Sequence, residues 1–111
     1  MRKFILNFKN SINGLKEAFK EHSFIAEIIG GFFLIPYLLI INLDNTFKTI
    51  IIFNYFLLLA FELLNTSIEK LSNKITTNYD AEIKKIKDLA SASVFLILII
   101  LITLIVLTLF L

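Results

Sequence analysis

Residues 89–111 read LASASVFLILIILITLIVLTLFL. After Ser93 only Thr103 and Thr108 interrupt an apolar run, and about 20 such residues cross a ~30 Å hydrocarbon core as a helix. Two earlier segments have similar length and character, about Phe24 to Leu43 and about Thr49 to Ile68. With 111 residues in all, the chain has room for one domain built around these spans. The whole composition agrees: 58% of residues are hydrophobic, against about 45–50% in soluble domains, and the mean hydropathy is +0.85. A soluble domain this small would leave much of that surface in water, so lipid is the expected solvent.

The first 21 residues differ. Phe4, Ile5, Phe8, Ile12, Leu15 and Phe19 recur at three- and four-residue spacing, with Lys3, Lys9, Lys16 and Lys20 between them. This pattern predicts an amphipathic surface helix over about 3–21, lying in the membrane interface. It does not read as a signal peptide, because no small-residue cleavage site follows a short apolar core. The fold class expected is therefore an all-α membrane protein, with a surface helix followed by three transmembrane helices. The connection Asn42 to Lys48 is short and rich in turn formers, so the first two spans are antiparallel neighbours. A longer charged connection is expected over Lys70 to Lys87, turn-like over Ser72 to Asp80 and helical from Ala81. Five basic residues precede the first span and five lie between the second and third, whereas only Lys48 lies between the first and second. The positive-inside rule then puts the N-terminus and the long connection in the cytoplasm and the C-terminus outside.

Several chemistries are excluded. With no cysteine there is no disulfide, thiolate nucleophile or cysteine-ligated zinc. His22, the one histidine, makes neither a multi-histidine metal site nor a serine–histidine relay. A net charge of +2 is too weak to point to nucleic acid. Gly14, Gly30 and Gly31 form no phosphate-binding loop, so a nucleotide site would rest on side chains and metal. Gly30 and Gly31 are expected to permit close helix packing, and Pro36 a local kink.

What remains is a polar stripe where none is expected. Glu62, Asn65 and Glu69 are spaced by three and seven residues, which places them on one narrow helical face. Glu62 and Glu69 are then about 10 Å apart along the axis at ~1.5 Å per residue, enough to hold a phosphate chain between them. A carboxylate within a span costs roughly 2.5–3.5 kcal/mol on insertion scales, so it calls for a use. A helix-packing seam explains Asn65, Thr66 and Ser67 equally well, and a solvated helix end explains Glu69. Neither explains Glu62, since an unpaired buried carboxylate does not stabilise packing. Glu21, Glu27, Lys87 and Asp88 lie at the same level of the other spans. For Glu21 and Lys87 ordinary surface charge is the competing reading. Taken together, acidic oxygens with lysines nearby suit a divalent cation carrying phosphates.

The segment Glu62-Leu63-Leu64-Asn65-Thr66-Ser67-Ile68-Glu69 resembles the ExxN[ST]xIE signature of the prokaryotic diacylglycerol kinase family. Lys87-Asp88-Leu89-Ala90-Ser91-Ala92 is similar to the family's segment opening the last helix, and Glu21-His22-Ser23-Phe24 to its ExxF ahead of the first span. The resemblance implies a homotrimer with active sites shared between subunits, and a reaction of ATP with a lipid alcohol that uses Mg2+. It implies that Glu62 is the general base and that Glu21 and Glu69 hold the metal. Nucleotide contacts would come from Lys3, Asn10, Glu21, Glu69, Asn78, Tyr79, Asp80, Lys87 and Asp88. The lipid site would include Lys3, Ser23, Phe24, Glu27, Glu62, Asn65 and Ser91. Three positions depart from the family: Asn73 where Asp is usual, Asn78-Tyr79-Asp80 where Glu-Tyr-His is frequent, and Lys3 in place of an Arg. Lysine lacks the bidentate fork of arginine.

The family includes kinases of diacylglycerol and of undecaprenol. Glu27 and the Leu34-Ile35-Pro36 run are more similar to the diacylglycerol branch, so diacylglycerol is the expected substrate and undecaprenol the alternative. A third reading is a small pore or assembly protein without catalysis. It does not account for carboxylates gathered at one membrane level, nor for the Lys87-Asp88 pair.

Overall fold

The computed structural model describes residues 1–111 and contains four helices and no strand: α1 (Arg2–Ala18), α2 (His22–Ile40), α3 (Asn45–Ile75) and α4 (Ala81–Thr108). The last three are each long and apolar enough to cross a membrane. They are also turned inside out relative to a soluble bundle. Only 13 of the 111 residues are buried, while Phe32, Phe33, Leu39, Ile40 and Phe53 face outward. That outer surface needs an apolar cover.

The core is a narrow seam where α3 meets α2 and α4. Leu38 of α2 and Ile51 of α3 are fully buried, and Leu34, Leu58 and Leu101 pack around them. α3 runs along most of α4 and touches α2 more sparsely. At the far end from the charged connection, the Tyr37 and Thr108 hydroxyls lie 2.7 Å apart and tie α2 to α4.

The last helix starts at Ala81, as the sequence reading has it, while the ends of the first three helices differ from it. α1 stops at Ala18, not at residue 21. Its end tightens into bonds from Lys20 N to Glu17 O and Glu21 N to Ala18 O, after which Glu21 turns extended. Ala18 is buried in the seam, and Phe19 meets Phe24 edge to face with centroids 5.3 Å apart. Burial and ring packing, with neither Gly nor Pro present, make this turn. The Lys20 ammonium, 2.9 Å from Glu17, holds that carboxyl below its usual pKa. α2 stops at Ile40, because Ile41 is extended and leads into the turn formers Asn42 and Asp44.

The largest difference is in α3. It continues to Ile75 through the stretch expected to be turn-like. Residues 69–75 contain no Gly or Pro, Ser72 is buried, and the Lys87 ammonium donates to Asn73 Oδ1 at 2.6 Å. Packing against the start of α4 therefore carries the helix past the apolar segment. At ~1.5 Å per residue α3 is about 46 Å long, well beyond a ~30 Å hydrocarbon core. Only Thr76 to Asp80 connect it to α4, which runs back to Ala81 and ends at Thr108.

Truncating the seam and the outer face should have unequal effects. Leu38→Ala should lower stability in detergent by about 2–5 kcal/mol, whereas Phe33→Ala on the outer face should lower it far less. Equal losses in a reversible unfolding series would mean that the seam is not the core.

Candidate active site

α2 and α3 bring three of the sequence-selected side chains together. Glu62 projects from α3 into the seam and is only 5% exposed. The Ser23 hydroxyl, in the first turn of α2, donates to Glu62 Oε1 at 2.6 Å. One turn further along α2, the Glu27 carboxyl lies within interaction range of that of Glu62. Its Oε1 is buried with no hydrogen-bond partner in the chain. A buried carboxyl oxygen without a partner calls for one, and a substrate hydroxyl can supply it. Phe24, next to Ser23 on α2, is buried and meets Phe19. The other members of the α3 stripe climb toward the charged end: Asn65 is half-buried and Glu69 exposed.

The charged end carries a second constellation. Asn78, Tyr79, Asp80, Lys84 and Lys87 surround a depression of about 330 Å³ between the α3–α4 connection and the start of α4. Asp80 is partly committed to structure, since its Oδ1 accepts from Glu82 N and Ile83 N, both at 3.0 Å, and caps α4. Lys84 pairs with Asp88 at 2.7 Å. Asn73, a departure from the family pattern, keeps an acceptor for Lys87 but without the negative charge a carboxylate would add. Glu21 is engaged by Lys70, with Nζ 3.1 Å from Oε1, a pairing across helices that linear spacing does not reveal. Between α1 and α3 a further cleft of about 550 Å³ is bordered by Ser11, Gly14 and Glu17 on one side and Thr66, Ser67 and Lys70 on the other.

Other expected residues do not reach the Glu62 group within the chain. Lys3 and Asn10 are exposed on α1, and Asp88 and Ser91 are exposed on α4. No three acidic or histidine side chains converge as a metal cage. A hard cation that takes most of its shell from substrate phosphates and water needs only one or two carboxylates; of the two expected, Glu69 is exposed and Glu21 is engaged by Lys70.

The Asp80 cap has a measurable consequence. Asp80→Ala should cost about 1 kcal/mol at the start of α4 and speed hydrogen exchange of the Glu82 and Ile83 amides. Unchanged protection at those amides would show the cap to be dispensable.

Known proteins share these features in sequence. The family described as prokaryotic diacylglycerol kinase matches residues 9–110. A curated relative from Haemophilus influenzae, named diacylglycerol kinase, is 35% identical over 91 residues, which cover 81% of this chain and 77% of the relative. The matched region takes in the polar stripe of α3, the start of α4 and all three apolar helices, and on that basis the chain belongs to the prokaryotic diacylglycerol kinase family and is a lipid kinase.

Proposed function

We propose that the chain transfers the γ-phosphoryl group of ATP to the free hydroxyl of diacylglycerol, at the cytoplasmic boundary of the membrane, giving phosphatidic acid and ADP. The observation that carries this reading is the Ser23 hydroxyl seated 2.6 Å from Glu62 Oε1. It supports the view that an alcohol can approach that carboxylate at the distance a general base needs. In the reaction the lipid hydroxyl would take a similar place and give its proton to Glu62. Its oxygen forms the new bond to the γ-phosphorus as the bond to the β-phosphate oxygen breaks.

Phosphoryl transfer needs mainly positioning and charge neutralisation. Glu27 would accept from or orient the lipid headgroup, with Ser23, Phe24 and Asn65 bounding it. Glu21 and Glu69 would hold a magnesium ion, which neutralises the nucleotide phosphates when bound. Lys87 would add positive charge beside Asn78, Tyr79 and Asp80, where the nucleotide would lie. Lys3, Asn10, Asp88 and Ser91 are exposed on their own chain. In a homotrimer with shared sites they would serve a neighbour's Glu62, and such an assembly would also cover part of the outward apolar surface. The surface helix α1 would lie in the interface. The basic residues that flank the charged end support a cytoplasmic N-terminus by the positive-inside rule. Each substrate then stays in its own solvent, the lipid in the bilayer and ATP in water.

The test is phosphate transfer from magnesium-ATP by purified protein in mixed micelles, to dioleoylglycerol and to undecaprenol in parallel. Transfer to dioleoylglycerol in clear preference is the expected result. Transfer to undecaprenol alone would move the substrate to the polyprenol class. No transfer to either lipid by folded protein would contradict the kinase reading.

A further inference from the structure

Tyr55 lies on α3 two turns before Glu62 and is 5% exposed. Its hydroxyl donates to the backbone carbonyl of Glu27 at 2.8 Å. The acceptor is part of the α2 backbone, so the bond grips the helix itself and not a mobile side chain. The ring can approach because residue 31 is glycine. A Cβ at Gly31 would overlap the Tyr55 hydroxyl and stand 2.5 Å from Cζ and 3.0 Å from Cε2. The neighbouring Gly30 is not used this way, since nothing lies within 4 Å of where its Cβ would be.

α2 touches α3 sparsely, while α4 packs along it. Where packing is thin, polar cross-links decide how one helix sits on another. Between α2 and α3 there are two: the Ser23 hydroxyl on Glu62 and the Tyr55 hydroxyl on Glu27 O. They are one turn apart on α2 and two turns apart on α3, so the residue whose carbonyl Tyr55 holds follows by one turn the Ser23 that donates to Glu62. We infer that Tyr55, seated against Gly31, is a positioning residue that fixes the register and rotation of α2 on α3 and so holds the Glu27 carboxyl beside Glu62. The catalytic consequence rests on the proposed phosphoryl transfer, whereas the structural content does not.

Tyr55→Phe keeps the ring and removes the hydroxyl. Its kcat for dioleoylglycerol should fall by about tenfold, as expected for a misplaced substrate-orienting group, with the KM for ATP unchanged. In a Glu27→Gln background the same change should produce no further fall. Because the chain has no cysteine, spin labels at Phe33→Cys and Phe53→Cys, in subunits diluted with unlabelled chains, report the α2–α3 distance. That distribution should broaden in Tyr55→Phe, and again in Gly31→Ala, which attacks the same contact from the other helix. An unchanged kcat, an equal additional fall in the Glu27→Gln background, or an unchanged distance distribution would overturn the inference. If the wild type itself transferred no phosphate, the proposed function would fall, and the distance distribution would still decide whether Tyr55 holds the two helices.

Discussion

A carboxyl group buried among apolar helices is the constraint on which the rest depends. Glu62 sits in the seam between α2 and α3 with almost no exposure, where an unpaired charge is strongly disfavoured. One polar group on α2 answers it directly, the Ser23 hydroxyl, which donates to it, and one turn further along α2 the Glu27 carbonyl is held by Tyr55. Apolar packing alone would let α2 slide on α3, since leucine and isoleucine surfaces are tolerant of register. The polar contacts at Glu62 select one arrangement.

The length of α3 connects that buried group to the water side. The helix leaves the apolar layer without ending, so Glu62, Asn65 and Glu69 form a graded series from buried to exposed on one face. The start of α4 packs on the extension through Lys87 and Asn73, and the short Thr76–Asp80 connection places polar side chains above it. The buried Glu62 and the exposed Glu69 are thus carried by one helix, with Lys87 of α4 bonded to its extension. Family membership adds that the reaction is a lipid phosphorylation, and under the proposed function the gradient would let a lipid and a nucleotide meet along this face.

Much of this was legible in the sequence, for identifiable reasons. The apolar runs showed themselves because lipid imposes a composition and a length. The polar stripe showed itself because carboxylates are rare at such positions. What stayed hidden depends on contacts between elements. The end of α3 was expected near residue 70, since polarity was read as a loop, yet helix-forming residues with a partner helix continue the helix. Gly30 and Gly31 looked equivalent in sequence, but only Gly31 meets a side chain. Tyr55 gave no signal of its own, because an aromatic in a span is ordinary until its hydroxyl is seen on another helix. The Lys70–Glu21 pair was hidden for the same reason.

Under the proposed function, Glu62 is kept for chemistry at some expense of stability. The most direct measurement is Glu62→Gln, with turnover on dioleoylglycerol and unfolding in detergent followed on the same preparation. Turnover should be lost while the folded protein is at least as stable as the wild type, because a neutral amide replaces a buried carboxyl. Retained turnover, or a loss of stability that parallels the loss of activity, would contradict it.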